Sequence, residues 1–222
     1  MPTKLDLKPI LSYLQALSRH NQKAWFEEHR ADYAAARGLF EQFLDGLIDG
    51  LREPDGLQGL TAKECLARIH RDVRFSKDKS PYKTNFGALI APGGWKSLAH
   101  GYYIGLEPGG RSIVAGGLYS PTPAQLDGFR QAVHADAAAL KRITRAKAFV
   151  ENFGAIEGER LKTAPKGYDR DHPELALLQL KQVTVVRRFS DQAVLAPDFA
   201  RQVSLTCRAL RPFLSYLKEV VP

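Results

Sequence analysis

Sulfur is scarce in this chain: two cysteines and one methionine among 222 residues. Cys65 and Cys207 stand far apart, in neither a redox pair nor a metal-ligand spacing. That excludes a disulfide framework and a cysteine-based zinc site, and it predicts reduced thiols of the cytoplasmic kind. Long apolar runs are also missing. No stretch approaches the roughly 20 residues of a membrane helix, and the opening "MPTKLDLKPI" has no secretory apolar core. A soluble, cytoplasmic protein with no membrane partner is expected. There is no internal repeat and no low-complexity tract, which excludes a solenoid. Gly93-Gly94 and Gly116-Gly117 lack the strand–loop–helix setting of a dinucleotide fingerprint, and Ser112 and Ser120 lack nucleophile-elbow surroundings. Whether a cofactor is used stays open.

What the chain does have is enough apolar material for a core, 44% hydrophobic residues, and a formal net charge of +8. Half of that charge sits in residues 68–83, where Arg68, Arg71, Arg74, Lys77, Lys79 and Lys83 are opposed only by Asp72 and Asp78. A local excess of this kind attracts anions better than the same charge spread evenly.

Periodicity changes along the chain. Ile10, Leu11, Leu14 and Leu17 have helical spacing. After Asn21, a candidate cap, Phe26 to Leu51 form one apolar stripe that predicts a single long helix; Trp25-Phe26 belong to its core face. Residues 52–61 are loop-like. Four strands follow, over "CLARIHRDVRF" (65–75), "FGALIAP", "GYYIGLE" and "SIVAGGLY", the last two paired through the Glu107–Gly110 turn. Thr122, Pro123 and Gln125 open a helix with a capping box. Residues 136–153 read as helical, 161–173 as a loop, "PELALLQL" as a short helix and "KQVTVVRRF" as a fifth strand. The closing helix contains Pro212, which predicts a kink or a division. The expected fold is α+β, a central, mostly antiparallel sheet with N-terminal and C-terminal helices packed on it. We expect a single domain over 1–222, with a helical part (1–60), a sheet (61–120), and mixed helices with one further strand (121–222).

As a strand, 66–75 turns Ala67, Ile69, Val73 and Phe75 to one face, with Arg71 among them. Arg71 then needs a carboxylate, phosphate or carbonyl partner, or must escape to solvent. The other face is a polar ladder in which Asp72 lies two residues from both His70 and Arg74. "SKDKSPYK" is a lysine-bearing turn. Arg68, Arg71 and Arg74 read as an anion clamp, Lys77 and Lys79 as a mobile arm, and Asp72 as the group that orients an arginine. Tyr82, Tyr102 and Tyr103 are candidate stacking surfaces. The competing reading is an edge strand whose charges neutralise each other.

A second dense stretch, "LKTAPKGYDRDHPEL", holds Lys162, Lys166, Tyr168, Asp169, Asp171 and His172. Asp169 and His172 are candidates for acid–base work, and Lys166 for anion binding. A metal set from Asp169, Asp171 and His172 has no recognised spacing, and Asp171 also reads as the cap of the helix near Pro173. "KRITRAK" (141–147) reads as a solvated helical face.

Arg68-x-x-Arg71-Asp72-x-Arg74-Phe75 followed by Asp78-Lys79-x-x-Tyr82 resembles the signature of a bacterial family, domain of unknown function 2461. "NQKAWFEEHRADY", "GYYIGLEPGG", the Gly-Gly-Leu-Tyr run, "PKGYDRDHP" and "LRPFLSYL" are similar to that family in the same order. The resemblance implies a single-domain bacterial protein of about this length and carries no activity. It marks Arg68, Arg71, Asp72, Arg74, Phe75, Lys79 and Tyr82. Three functions stay open: recognition of a nucleotide or similar phosphorylated ligand, with Asp169 or His172 as acid–base group if the two stretches meet; nucleic-acid binding; and an interaction protein with internal arginine salt bridges.

Overall fold

The structure, a computed structural model, describes residues 5–97 and 100–221. The fold is α+β. Four strands, β1 (Phe86–Ile90), β2 (Tyr102–Leu106), β3 (Ser112–Leu118) and β4 (Val183–Phe189), form one antiparallel sheet in the order β1-β2-β3-β4. Helices precede, interrupt and follow it in chain order: α1 (Lys8–Arg19), α2 (Lys23–Glu28), α3 (Arg30–Leu51) and α4 (Ala62–Cys65) before β1; α5 (Pro123–Ala135), α6 (Ala138–Arg145), α7 (Lys147–Phe153) and α8 (Leu175–Leu178) between β3 and β4; and α9 (Asp191–Val194) and α10 (Phe199–Val220) after β4. None of the described helices is long and apolar enough to cross a membrane.

Contacts divide the chain into two compact units. The first contains Met1–Leu98, Tyr103–Val114 and Arg188–Leu205, and the second contains Ala99–Tyr102, Ala115–Arg187 and Thr206–Pro222.

In the first unit α1 packs on α3 through the residues that the helical spacing singled out: Ile10, Leu11, Leu14 and Leu17 are buried, as are Phe40, Phe43, Leu44 and Leu47. Phe40 stacks on Phe86 of β1 at 5.8 Å, and Phe43 on Phe199 at 5.5 Å. Burying a ring of this size stabilises by about 1.5–3 kcal/mol, so these contacts tie α3 to β1 and to the start of α10. The expected single helix over 26–51 is interrupted at His29 (φ −102°, ψ 26°). The His29 ring lies 4.0 Å from that of Trp25, nearly parallel to it, and Nδ1 sits 2.9 Å from the Trp25 carbonyl. A side chain that competes for the backbone in this way bends a helix. Between β2 and β3, the amides of Gly109 and Gly110 donate to the Asp191 carboxylate at 2.8 and 2.9 Å.

In the second unit the Thr122–Gln125 capping box forms as expected, with Pro123 in the first turn of α5. Phe129, Phe149 and Phe213 are fully buried, and Phe149 meets Phe213 edge-on at 5.9 Å. The helical reading of 136–153 resolves into α6 and α7, with Ala146 in extended conformation between them. Pro212 does not divide α10, which is helical from Phe199 to Val220. Burial of Leu210, Phe213 and Leu217 on either side holds the helix through the missing hydrogen bond.

The expected strand over 66–75 does not form. Only Leu66 and His70 make isolated antiparallel bridges, to Ala88 and Tyr82. Four positions separate the bridges on the outgoing side and six on the return, so the return carries two extra residues, taken up by a bend at Thr84–Asn85. A bulge of this kind ends regular pairing and re-aims side chains. Phe75, expected on the apolar face, is 96% exposed at the tip.

Candidate functional site

The basic segment is an arm: residues 66–71 lie along 81–88, and 72–80 close the end. Arg71 N donates to Pro81 O at 2.9 Å and Lys83 N to Ile69 O at 2.8 Å, while Ala67 N reaches Gly87 O at 2.9 Å beyond the bulge. Asn21 anchors the base. Its Nδ2 donates to Tyr82 O at 2.9 Å and its Oδ1 accepts from Tyr82 N at 3.0 Å, so one amide mimics a strand neighbour. This replaces the expected capping role: the N-cap of α2 is Gln22, and no side chain caps it.

Three of the expected anion-binding cations are held within the arm. Arg71 pairs with the Asp78 carboxylate and donates to Ser80 O at 3.2 Å, the carboxylate and carbonyl partners its position called for. The Ser80 hydroxyl and amide, followed by Arg71, hold Asp78 far below the usual carboxylate range. Arg74 grips Asp72 in a bidentate pair at 2.7 and 3.0 Å, in which the guanidinium lowers the Asp72 pKa. Asp72 is therefore anionic and orients Arg74. Lys79 Nζ donates to Val73 O at 2.9 Å. Tyr82, a candidate ligand, is 3% exposed and stacks on Phe26 at 4.1 Å, so its ring belongs to the core. Tyr102 is buried as well.

Arg68 and Lys83 are different. Among the described residues neither has a carboxylate partner. Burial first, and the Arg68 charge second, pull Lys83 below the usual lysine range. Lys83 Nζ lies 5.7 Å from the ring centre of Trp95, which is 39% exposed, and Trp95 is 6.4 Å from Tyr103. Asn85 Nδ2 donates to the Tyr103 hydroxyl at 3.2 Å. Trp95 sits on a single 3-10 turn, Gly94–Lys96, seated against α4. Only glycine serves at 94: φ is +65°, and a Cβ there would lie 2.4 Å from the Glu64 carbonyl oxygen. Two cations without carboxylate partners, one of them beside the exposed Trp95 and the half-buried Tyr103, can hold an anion and stack a planar group. Sequence reasoning counted Lys83 without placing it in the site and passed over Trp95. The glycine pair before Trp95 was the signal, as a turn that presents an aromatic rather than as part of a nucleotide fingerprint.

Lys166, Asp169 and His172 belong to the second unit. His172 does not pair with Asp169 through its ring. Its Nε2 lies 3.0 Å from His134 Nδ1, and its Nδ1 accepts from the Glu174 amide at 3.0 Å. His172 thus occupies the helix entrance where Asp171 was expected as a cap; the N-cap of α8 is Glu174. His134 was missed because it is a single histidine on a helix, 38 residues away. Among the described residues, no group of three or more His, Cys, Asp or Glu is placed to hold a metal ion.

A family model described as conserved hypothetical protein (DUF2461) matches residues 9–216. The chain belongs to that family, whose description assigns no activity. Comparison with curated proteins and with solved structures gave no match.

Proposed function

We propose that the base of the basic arm recognises the phosphate of a nucleotide or a similar phosphorylated ligand, between Arg68 and Lys83. The observation that carries this reading is the contrast inside one segment. Arg71, Arg74 and Lys79 are engaged in shaping the arm, whereas Arg68 and Lys83 have no carboxylate partner among the described residues, the Arg68 charge acts on Lys83, and Lys83 lies over Trp95. Lys83, partly desolvated and within the field of the exposed Arg68, is disfavoured as a cation by itself and becomes favourable when an anion bridges the two. Arg68 supplies the planar fork that fits phosphate oxygens, and Lys83 the point charge. Trp95 and Tyr103 offer the face on which a base stacks. The reading is one of recognition and includes no chemical step.

Trp25 and Trp95 are the only tryptophans, so a Trp25→Phe protein reports on Trp95 alone. ADP is expected to quench its fluorescence saturably, inorganic phosphate to compete, and Arg68→Ala or Lys83→Ala to weaken binding by about tenfold or more each, the loss of a charge-assisted hydrogen bond. Arg74→Ala serves as the control that leaves affinity unchanged. Failure of ADP to quench Trp95, or quenching unaffected by both substitutions, overturns the proposal.

A second reading, single-stranded nucleic acid, is favoured by one feature, the fully exposed Phe75 at the tip with Arg74 5.9 Å from its ring. A strand that stacks on Phe75 and follows the cations makes several phosphate contacts. Its affinity would fall with salt by about 0.7 log units per log unit of salt for each phosphate. A single bound nucleotide gives a shallow slope.

A further inference from the structure

The second unit contains an open cavity of about 500 Å³, formed by the end of α5, by α6 and by the loop that enters α8. Its size is that of small-molecule sites, about 300–1,000 Å³.

His134 and His172 both line it. The hydrogen bonds fix their tautomers. A backbone N–H can only donate, so the Glu174 amide requires a lone pair on His172 Nδ1, and the neutral ring carries its proton on Nε2. That proton is donated to His134 Nδ1, which leaves His134 with its own proton on Nε2. The relay runs in one direction and ends on a single remaining donor, His134 Nε2–H. Tyr168 packs edge-on against the His134 ring at 5.3 Å and holds it in place.

The charges around the cavity divide in the same way as those of the arm. Lys141 is paired with Glu174. Asp136 accepts from the Ala138 amide at 2.7 Å at the start of α6. Arg142 and Arg145 remain, one helical turn apart on the last turn of α6, and among the described residues neither has an ion pair or hydrogen bond. The stretch that reads as a solvated helical face therefore presents two free guanidiniums to a cavity that also contains an oriented imidazole.

We infer that this cavity binds a small phosphomonoester, with Arg142 and Arg145 on the phosphoryl oxygens and His134 Nε2–H as a third donor. Two forks and one N–H, arriving from two helices, match the three terminal oxygens of a phosphoryl group; a carboxylate has only two. The cavity belongs to the second unit and the arm to the first.

The test is nitrogen-detected NMR of the histidine rings in the full-length protein, assigned with His134→Gln and titrated with glycerol 3-phosphate, inorganic phosphate and succinate. Both rings are expected as Nε2–H tautomers, with a saturable shift at His134 Nε2 on adding glycerol 3-phosphate. That affinity should fall by about tenfold or more in an Arg142→Gln/Arg145→Gln double variant. It should be unchanged in Arg68→Ala, which separates this site from the one on the arm. A protonated Nδ1 on His134, no saturable shift by about 10 mM ligand, an unchanged affinity in the double variant, or equal binding of succinate each overturns the assignment.

Discussion

Asn21→Ala should destabilise the first unit well beyond what a lost helix cap costs. The Asn21 amide satisfies both backbone groups of Tyr82, at 2.9 and 3.0 Å, across 61 residues of chain. Removing it leaves a partly buried N–H and a partly buried C=O without partners. Each such group costs about 1–3 kcal/mol, and partial access to water puts the sum near the lower end, about 2–3 kcal/mol. For a chain of this size that is a fall in Tm of about 5–10 °C. A capping role predicts only about 1 kcal/mol. Asn21→Asp separates the two more sharply. Aspartate caps helices as well as asparagine, but here it sets an oxygen against the Tyr82 carbonyl in place of the donor. Denaturant unfolding followed by tryptophan fluorescence is the assay, because Trp25 and Trp95 both lie in the first unit. An Asn21→Asp protein as stable as the parent, or an Asn21→Ala protein within about 0.5 kcal/mol of it, would refute the reasoning.

Gly94→Ala combines a left-handed backbone with a Cβ 2.4 Å from the Glu64 carbonyl. It should cost about 2 kcal/mol or more and alter Trp95 emission even in protein that remains folded. Both cysteines are buried, and burial pushes the Cys65 thiol up to about 12. A disulfide reagent at pH 8 should therefore react with neither until the protein is denatured. Because the folded thiol ionises later than the unfolded one, its contribution to stability is complete below the usual thiol pKa of about 8.5. That contribution declines as pH rises towards the folded value, so unfolding midpoints should fall across that alkaline range. Asp78 is shifted the other way, held low by Ser80 and Arg71. Its clasp on the arm should hold as pH falls from 7 through the ordinary carboxylate range and open only below it. Amide exchange over residues 72–80 should accordingly stay slow in the parent at pH 4 and be fast in Asp78→Asn at pH 7.

The legible parts of the fold were those whose causes are local. The capping box at Thr122 and Gln125, the alternation of buried and half-buried residues along β3, and the spacing of Leu11, Leu14 and Leu17 each lie within a few residues of one another. Short-range geometry determines them, and the α+β architecture follows from their order. Arg71 does have one of the partners expected for it, the Asp78 carboxylate, although the strand on which that expectation rested does not form. Local pattern misled where two segments had to agree on register. The alternation of 66–75 is that of a strand, but the two extra residues on the return side break the pairing, a mismatch written in neither segment alone. The same holds for Asn21, whose partner is a backbone in the arm rather than the helix beside it, and for His134 and His172, brought together across a loop and two helices. By itself the sequence determined the four strands of the sheet, most of the helical segments, and the concentration of cations near residues 68–83. Only the tertiary structure decided which of those cations are engaged inside the arm, Arg71 and Arg74 by carboxylates and Lys79 by a carbonyl, because pairing depends on how the arm closes on itself.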